Sequence, residues 1–244
     1  MHIRIVGLSD LPEIQRGDDL SAYIPAGAAR IGEVLDHKTI VVVAQKVISK
    51  AEGAVVDLRE IHPSPFAEQW GKSWGKDPRL IELVLQQSRR VVKMDRGVLV
   101  TETHRGLVMA NAGVDQSNVP GEHMATILPD DPDASAHRLR QALGCGAVII
   151  TDTFGRPWRE GLVNVAIGVS GIDALEDLRG SKDREGHVLQ ATIVARADEL
   201  ASAAGLVMAK SAGVPVALIQ DFEWTPSEGS AAPLVRDPKL DLFR

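Results

Sequence analysis

The chain has 244 residues, 44% of them hydrophobic, enough to bury a sizeable core as one large domain or two small ones. A formal net charge of -6 lacks the excess of basic residues that marks a nucleic-acid binder, and no nucleic-acid partner is expected. The single cysteine, Cys145, excludes an intrachain disulfide. Neither a secretory signal pattern after Met1 nor an apolar stretch near the roughly 20 residues needed to span a bilayer is present, so a cytoplasmic protein with no membrane partner is expected.

Short apolar runs then alternate with helical patterns. Residues 2–8 predict an opening strand and 9–19 a loop rich in turn formers. Residues 39–44, dominated by β-branched side chains, predict a buried strand, and 45–53 set Lys46, Ser49 and Lys50 against apolar core sequence. Residues 65–74 and 78–90 predict helices. The second carries Leu80, Ile81, Val84 and Leu85 along one stripe, with Arg89 and Arg90 where cations suit the helix dipole. Strands cluster over 91–110, a glycine-stopped helix covers 133–144, and an apolar strand covers 147–150. In the strand 162–170, alternation puts Val163, Val165, Ile167 and Val169 on one buried face. A charged surface excursion at 176–186, a strand at 188–195, an Ala-rich helix at 198–210 and a strand at 216–219 complete the chain. Strand clusters separated by helices predict an α+β fold with mixed or antiparallel sheets, not a regular βαβ alternation.

Two strand ends carry the chemistry. The run 107–110 leads into a polar turn with Asn111, Gly113, Asp115 and Asn118, and the run 147–150 ends in Thr151, Asp152 and Thr153, with Arg156 and Arg159 just beyond. Loops at strand ends are where function concentrates. Two aspartates delivered in this way suit a hard divalent cation, which takes oxygen ligands and, as magnesium, is shared between one or two carboxylates and substrate phosphates. Lys46 and Lys50 then read as phosphate contacts, and Arg156 and Arg159 as guanidinium forks for phosphate or carboxylate. Plainer readings stand beside these: Asp115 and Asn118 as turn-bonding side chains, Asp152 as a cap, the lysines as snorkelling cations and the arginines as solvated charges. Two tempting motifs fail. Gly71-Lys72-Ser73 ends like a P-loop, but Phe66 stands where that motif needs glycine, and no G-x-G-x-x-G follows a predicted strand. His104 and His123 have no second His or Cys at a metal-ligand spacing, which leaves them out of a zinc site.

Taken together and in order, residues 41–53, 111–118 and 150–156 resemble the coenzyme F420-0:L-glutamate ligase family, the gamma-glutamyl or CofE-like ligases. The likeness runs from Leu11-Pro12 to Gly213-Val214-Pro215. It implies a CofE-like α+β fold in an intertwined homodimer, a single ligase domain over 1–244 with room for two interleaved subdomains, and no C-terminal reductase domain of the kind some relatives carry. It also implies GTP as co-substrate, Mg²⁺ or Mn²⁺ helped by K⁺, and the joining of L-glutamate to the lactyl carboxylate of coenzyme F420-0, with γ-linked extension. Position by position, Asp115, Asp152 and Thr153 become metal ligands. Leu11, Pro12, Glu13, Ile14, Gln45, Lys46, Lys50 and Asn118 line the GTP site, as do Met208, Ala209, Lys210, Ser211, Ala212 and Gly213. Lys50 and Arg156 would steady transition-state charge. The likeness departs at Lys210, where the family places an acidic second-metal ligand. A metal-dependent phosphohydrolase and a GTP-binding regulatory module are the alternatives.

Overall fold

The computed structural model of the protein describes residues 2–208 and 213–241. In chain order, β1 (Arg4–Leu8) leads to α1 (Leu20–Arg30), β2 (Ile40–Ala44) and α2 (Gln45–Glu52). A middle stretch follows, with β3 (Val55–Asp57), α3 (Pro65–Trp74), α4 (Pro78–Gln86), β4 (Ser88–Asp95), β5 (Val98–Thr103), β6 (Val108–Ala110) and β7 (Met124–Thr126). The chain returns through α5 (Pro132–Leu143), β8 (Ala147–Arg156), β9 (Arg159–Ser170), β10 (Glu176–Asp177), β11 (Ile193–Val194), α6 (Arg196–Ala204) and β12 (Val216–Gln220).

The long apolar runs pair into one sheet of order β1-β12-β2-β8-β9, antiparallel except for the parallel pair β2–β8. Because successive side chains point to opposite faces, this sheet separates two cores. Val41, Val43, Val148 and Ile150 pack against Ile24 of α1, Ile48 of α2 and Leu139 of α5. Ile40, Val42, Ile149 and Ile219 pack on the other face against Ala197, Leu200 and Ala201 of α6. Strands covered on both faces read as continuous apolar runs, as 40–44 and 147–150 do. A third core, with Leu58, Ile81, Leu83, Val84, Leu99 and Ala125, belongs to the middle stretch. The architecture is therefore α+β with a mixed central sheet, as the order of elements predicts. Helices α3, α4 and α5 start on Ser64, Asp77 and Asp131, each accepting a first-turn amide and followed directly by proline.

Four local expectations are corrected. Helix α4 stops at Gln86, and Arg89 and Arg90 sit on β4, where Arg90 Nε donates to the buried Glu102 carboxylate at 2.8 Å and Arg89 stands 3.6 Å from it. A nearly buried carboxylate across the strand is a stronger partner for these cations than a helix end. Of residues 188–195, only Ile193–Val194 is strand, paired with β10, and Val188 and Ile193 are exposed. Helix α6 begins at Arg196 and ends at Ala204. Finally, a bulge opposite the Ile150–Thr151 step of β8, with Ile167 of β9 as the extra residue, reverses the alternation in β9, so that Ile167 joins one core and Val169 the other.

Helix α5 lies directly on that bulged region. A Cβ at Gly168 would meet the carbonyl carbon and oxygen of Pro132 at 2.5 Å, and backbone cannot step aside. Gly168→Ala is expected to destabilise the fold by about 1–3 kcal/mol, the usual cost of overpacking, read from urea denaturation. Unchanged stability would show that the α5–β9 contact is looser than described.

Candidate functional site

Parallel neighbours end at the same edge of a sheet. Ala44 at the end of β2 pairs with Thr151 of β8, so α2, which starts at once with Gln45, stands beside Asp152 and Thr153. A cavity of about 320 Å³ opens there, outside the carboxyl ends of the strands, where open sheets with parallel strands bind ligands. One cavity gathers Leu11, Pro12, Glu13, Ile14, Gln45, Lys46, Lys50, Asp115, Asn118, Asp152, Thr153, Met208 and Gly213, residues predicted from segments far apart in the chain. Ala209, Lys210, Ser211 and Ala212 lie outside the described residues. Arg156 does not line the cavity. Its guanidinium donates to the carbonyls of Glu160 and Gly161 and braces the β8–β9 turn.

The approach to Asp115 is strained. Asn111, Ala112 and Gly113 all have positive φ, at 53°, 50° and 74°, a region that costs a non-glycine residue roughly 1–2 kcal/mol. The surroundings hold the turn in place. Asp115 N donates to Thr126 O at 3.1 Å, Thr126 N donates back to Asp115 O at 2.8 Å, and the Thr126 hydroxyl adds a third bond to the same carbonyl at 3.1 Å. The Asp115 backbone is thereby fixed at the cavity wall, and Asn118, also left-handed at φ 55°, follows on the same wall.

Opposite charges meet inside the cavity. The Lys46 ammonium donates to Asp115 Oδ2 at 2.7 Å, to Ser117 O at 2.7 Å and to Ser117 Oγ at 2.6 Å. Asp115 Oδ1 accepts the Ser117 amide at 2.8 Å, the bond that the turn reading of Asp115 expects. Burial pushes the Asp115 carboxyl up, but the bonds from Lys46 and Ser117 outweigh it and hold the group below its usual range. Lys50 is buried to 8% exposure and pairs with Glu13, whose carboxylate is largely exposed. Helix α2 begins on Ala44, which offers no side-chain cap, and its first turn has no acidic residue. Gln45, Lys46 and Val47 thus bring the positive end of a helix to the cavity, a setting that favours anions.

Further lining residues escaped the motif reading: Ala44, Val47, Thr151, Asn164, Val214 and Pro215. Asn164 left a signal, since it is the polar interruption of the apolar run 162–169. Its register opposite Thr153 is set by the bulge and could not be read locally.

The donor set fits a hard cation through its chemistry. Asp115, Asp152 and Thr153 line one cavity and offer oxygen atoms, the donor type that a hard cation takes. In class, the protein is thus one with a strand-end cleft holding carboxylates and lysines side by side. The comparisons make the class specific. Residues 9–221 match the family model described as F420-0:Gamma-glutamyl ligase, and the chain belongs to that family. A coenzyme F420:L-glutamate ligase of Methanothermobacter thermautotrophicus is 43% identical, with all of both chains covered. The protein of the same name from Methanopyrus kandleri is 43% identical over 95% of this chain and 94% of its own, and that from Methanocaldococcus jannaschii 40% identical over 99% and 97%. Among the described residues no helix is long and apolar enough to cross a membrane.

The Lys46–Asp115 pair generates a prediction with a definite sign. A depressed folded-state pKa contributes stability that is fully present above the ordinary carboxyl pKa and is lost as pH falls through the folded value. Lys46→Met removes the ammonium but not the burial, so the Asp115 pKa should rise and that acid-sensitive contribution should shrink, followed by carboxyl NMR titration. An unmoved Asp115 titration would mean that Lys46 does not govern its charge.

Proposed function

We propose that the protein is a GTP-dependent ligase that adds L-glutamate, one or more residues with γ-links after the first, to the lactyl-type carboxylate of coenzyme F420-0. The observation that carries the reading is the convergence of Asp115, Asp152, Lys46 and Lys50 in one strand-end cavity of a chain that belongs to this family. A carboxylate is a poor electrophile and must be activated. In the proposed sequence the acceptor carboxylate oxygen attacks the γ-phosphorus, the bond to the β–γ bridging oxygen breaks, and GDP leaves. The glutamate amine then attacks the acyl carbon, phosphate departs, and the amine gives up a proton.

Both steps gather negative charge, and the protein's part is positioning and electrostatics. Lys50, held in the wall, meets the phosphates with a charge already desolvated, and the uncapped start of α2 adds backbone donors. Asp115, Asp152 and Thr153 would hold Mg²⁺ or Mn²⁺, which when bound supplies charge neutralisation at the β- and γ-phosphates. Lys46 would exchange Asp115 for a phosphate oxygen as the cation arrives, so that neither charge is stranded.

GDP release measured with and without L-glutamate and F420-0 tests the proposal. Release that depends on both substrates is expected. GTP turnover without the amine would indicate a phosphohydrolase, and GTP bound but never consumed a regulatory module. Asp115→Ala and Asp152→Ala should each abolish ligation in a folded protein. Lys50→Met should weaken GTP binding or turnover at least about tenfold, the loss expected for a charge-assisted bond of about 1.5–3 kcal/mol. Ligation near the wild-type rate in any of the three would contradict the site assignment.

A further inference from the structure

We propose that Asn164 is a positioning residue that turns the Thr153 hydroxyl into an acceptor-only oxygen facing the cavity, and thereby sets the affinity of the site for a divalent cation. The inference rests on the reading of Thr153 as a metal ligand and adds what orients it. Thr153 and Asn164 are register partners across β8 and β9, and Thr153 Oγ1 donates to Asn164 Oδ1 at 3.0 Å. A threonine hydroxyl has one hydrogen; once that is committed to Asn164, only lone pairs remain for whatever enters the cavity. An oxygen in that state suits a cation and rejects another acceptor.

Asn164 is itself locked in place. Its backbone carbonyl accepts from Ser202 Oγ of α6 at 2.7 Å, and its side chain lies against Gly205 just past that helix, where an added Cβ would stand 3.2 Å from Asn164 Nδ2. The β8–β9 bulge completes the arrangement: Ile150 pairs with Gly168, but beyond the bulge Thr151 pairs with Ala166, so Thr153 faces Asn164. Continuing the earlier register would set apolar Val165 opposite Thr153. Bulges that re-aim a side chain beside a site are a recurrent device, and the partners that orient a ligand's proton commonly govern metal affinity.

Direct Mn²⁺ binding, read from the EPR signal of free Mn²⁺ with and without a non-hydrolysable GTP analogue, separates this proposal from the ligase reading because it needs no turnover. Asn164→Leu should weaken Mn²⁺ binding by about tenfold or more. Thr153→Val should do the same, and the double variant should be no worse than either single one. Asn164→Asp keeps the acceptor and should retain wild-type binding or tighten it, which distinguishes orientation from simple loss of folding. Losses that multiply in the double variant would overturn the proposal. So would wild-type binding by Asn164→Leu when Thr153→Val is weakened, whereas wild-type binding by Thr153→Val and Asp152→Ala alike would overturn it together with the metal reading.

Discussion

The parallel pairing of β2 with β8 is the constraint on which the site depends. In an otherwise antiparallel sheet, it makes two neighbouring strands end side by side, with Ala44 and Thr151 in register. An antiparallel pairing of the same two strands would send α2 and its lysines to one edge and Asp152 with Thr153 to the other. The strands that end at the site also build both cores, with Val41, Val43, Val148 and Ile150 on one face and Ile40, Val42 and Ile149 on the other. Core packing and site geometry are set by the same residues.

Charge is the second constraint. Lys50 is nearly buried and Lys46 partly so, and both are neutralised within the protein, by Glu13 and Asp115. Removing either acid would leave a cation poorly solvated. On the proposed reading the same balance couples the two ligands: a metal ion on Asp115 releases Lys46, and phosphate gives Lys46 a new partner. The three hydrogen bonds between the Asp115 backbone and Thr126 fix the Asp115 backbone in this exchange and leave the flexible lysine stem to move.

Local pattern made some of this legible and tertiary context made the rest. The β-branched run at 40–44, the helices α3 and, to within a residue at its start, α5, and the strand-end aspartates were readable because each signal lies within a few residues. Helix α2 was not, since it follows β2 without a capping side chain, and α1 carries Pro25 inside it. The bulge that brings Asn164 opposite Thr153 lies beside the close approach of α5 to Gly168, and no local propensity announces either. The Lys46–Asp115 pair spans 69 positions and is likewise a product of topology. Arg156 shows the converse: its place shortly after Asp152 suggested an anion contact, whereas its guanidinium braces the β8–β9 turn.

The central claim is that this one cavity holds a metal-bound nucleotide between the acids and the lysines. Crystals grown with Mn²⁺ and a non-hydrolysable GTP analogue test it most directly, through the anomalous signal of the metal. The account predicts a Mn²⁺ peak at coordination distance from Asp115 and Asp152, the triphosphate beside Lys46 and Lys50, and Lys46 detached from Asp115. Mn²⁺ remote from both carboxylates, or nucleotide bound elsewhere with the Lys46–Asp115 bond intact, would contradict it.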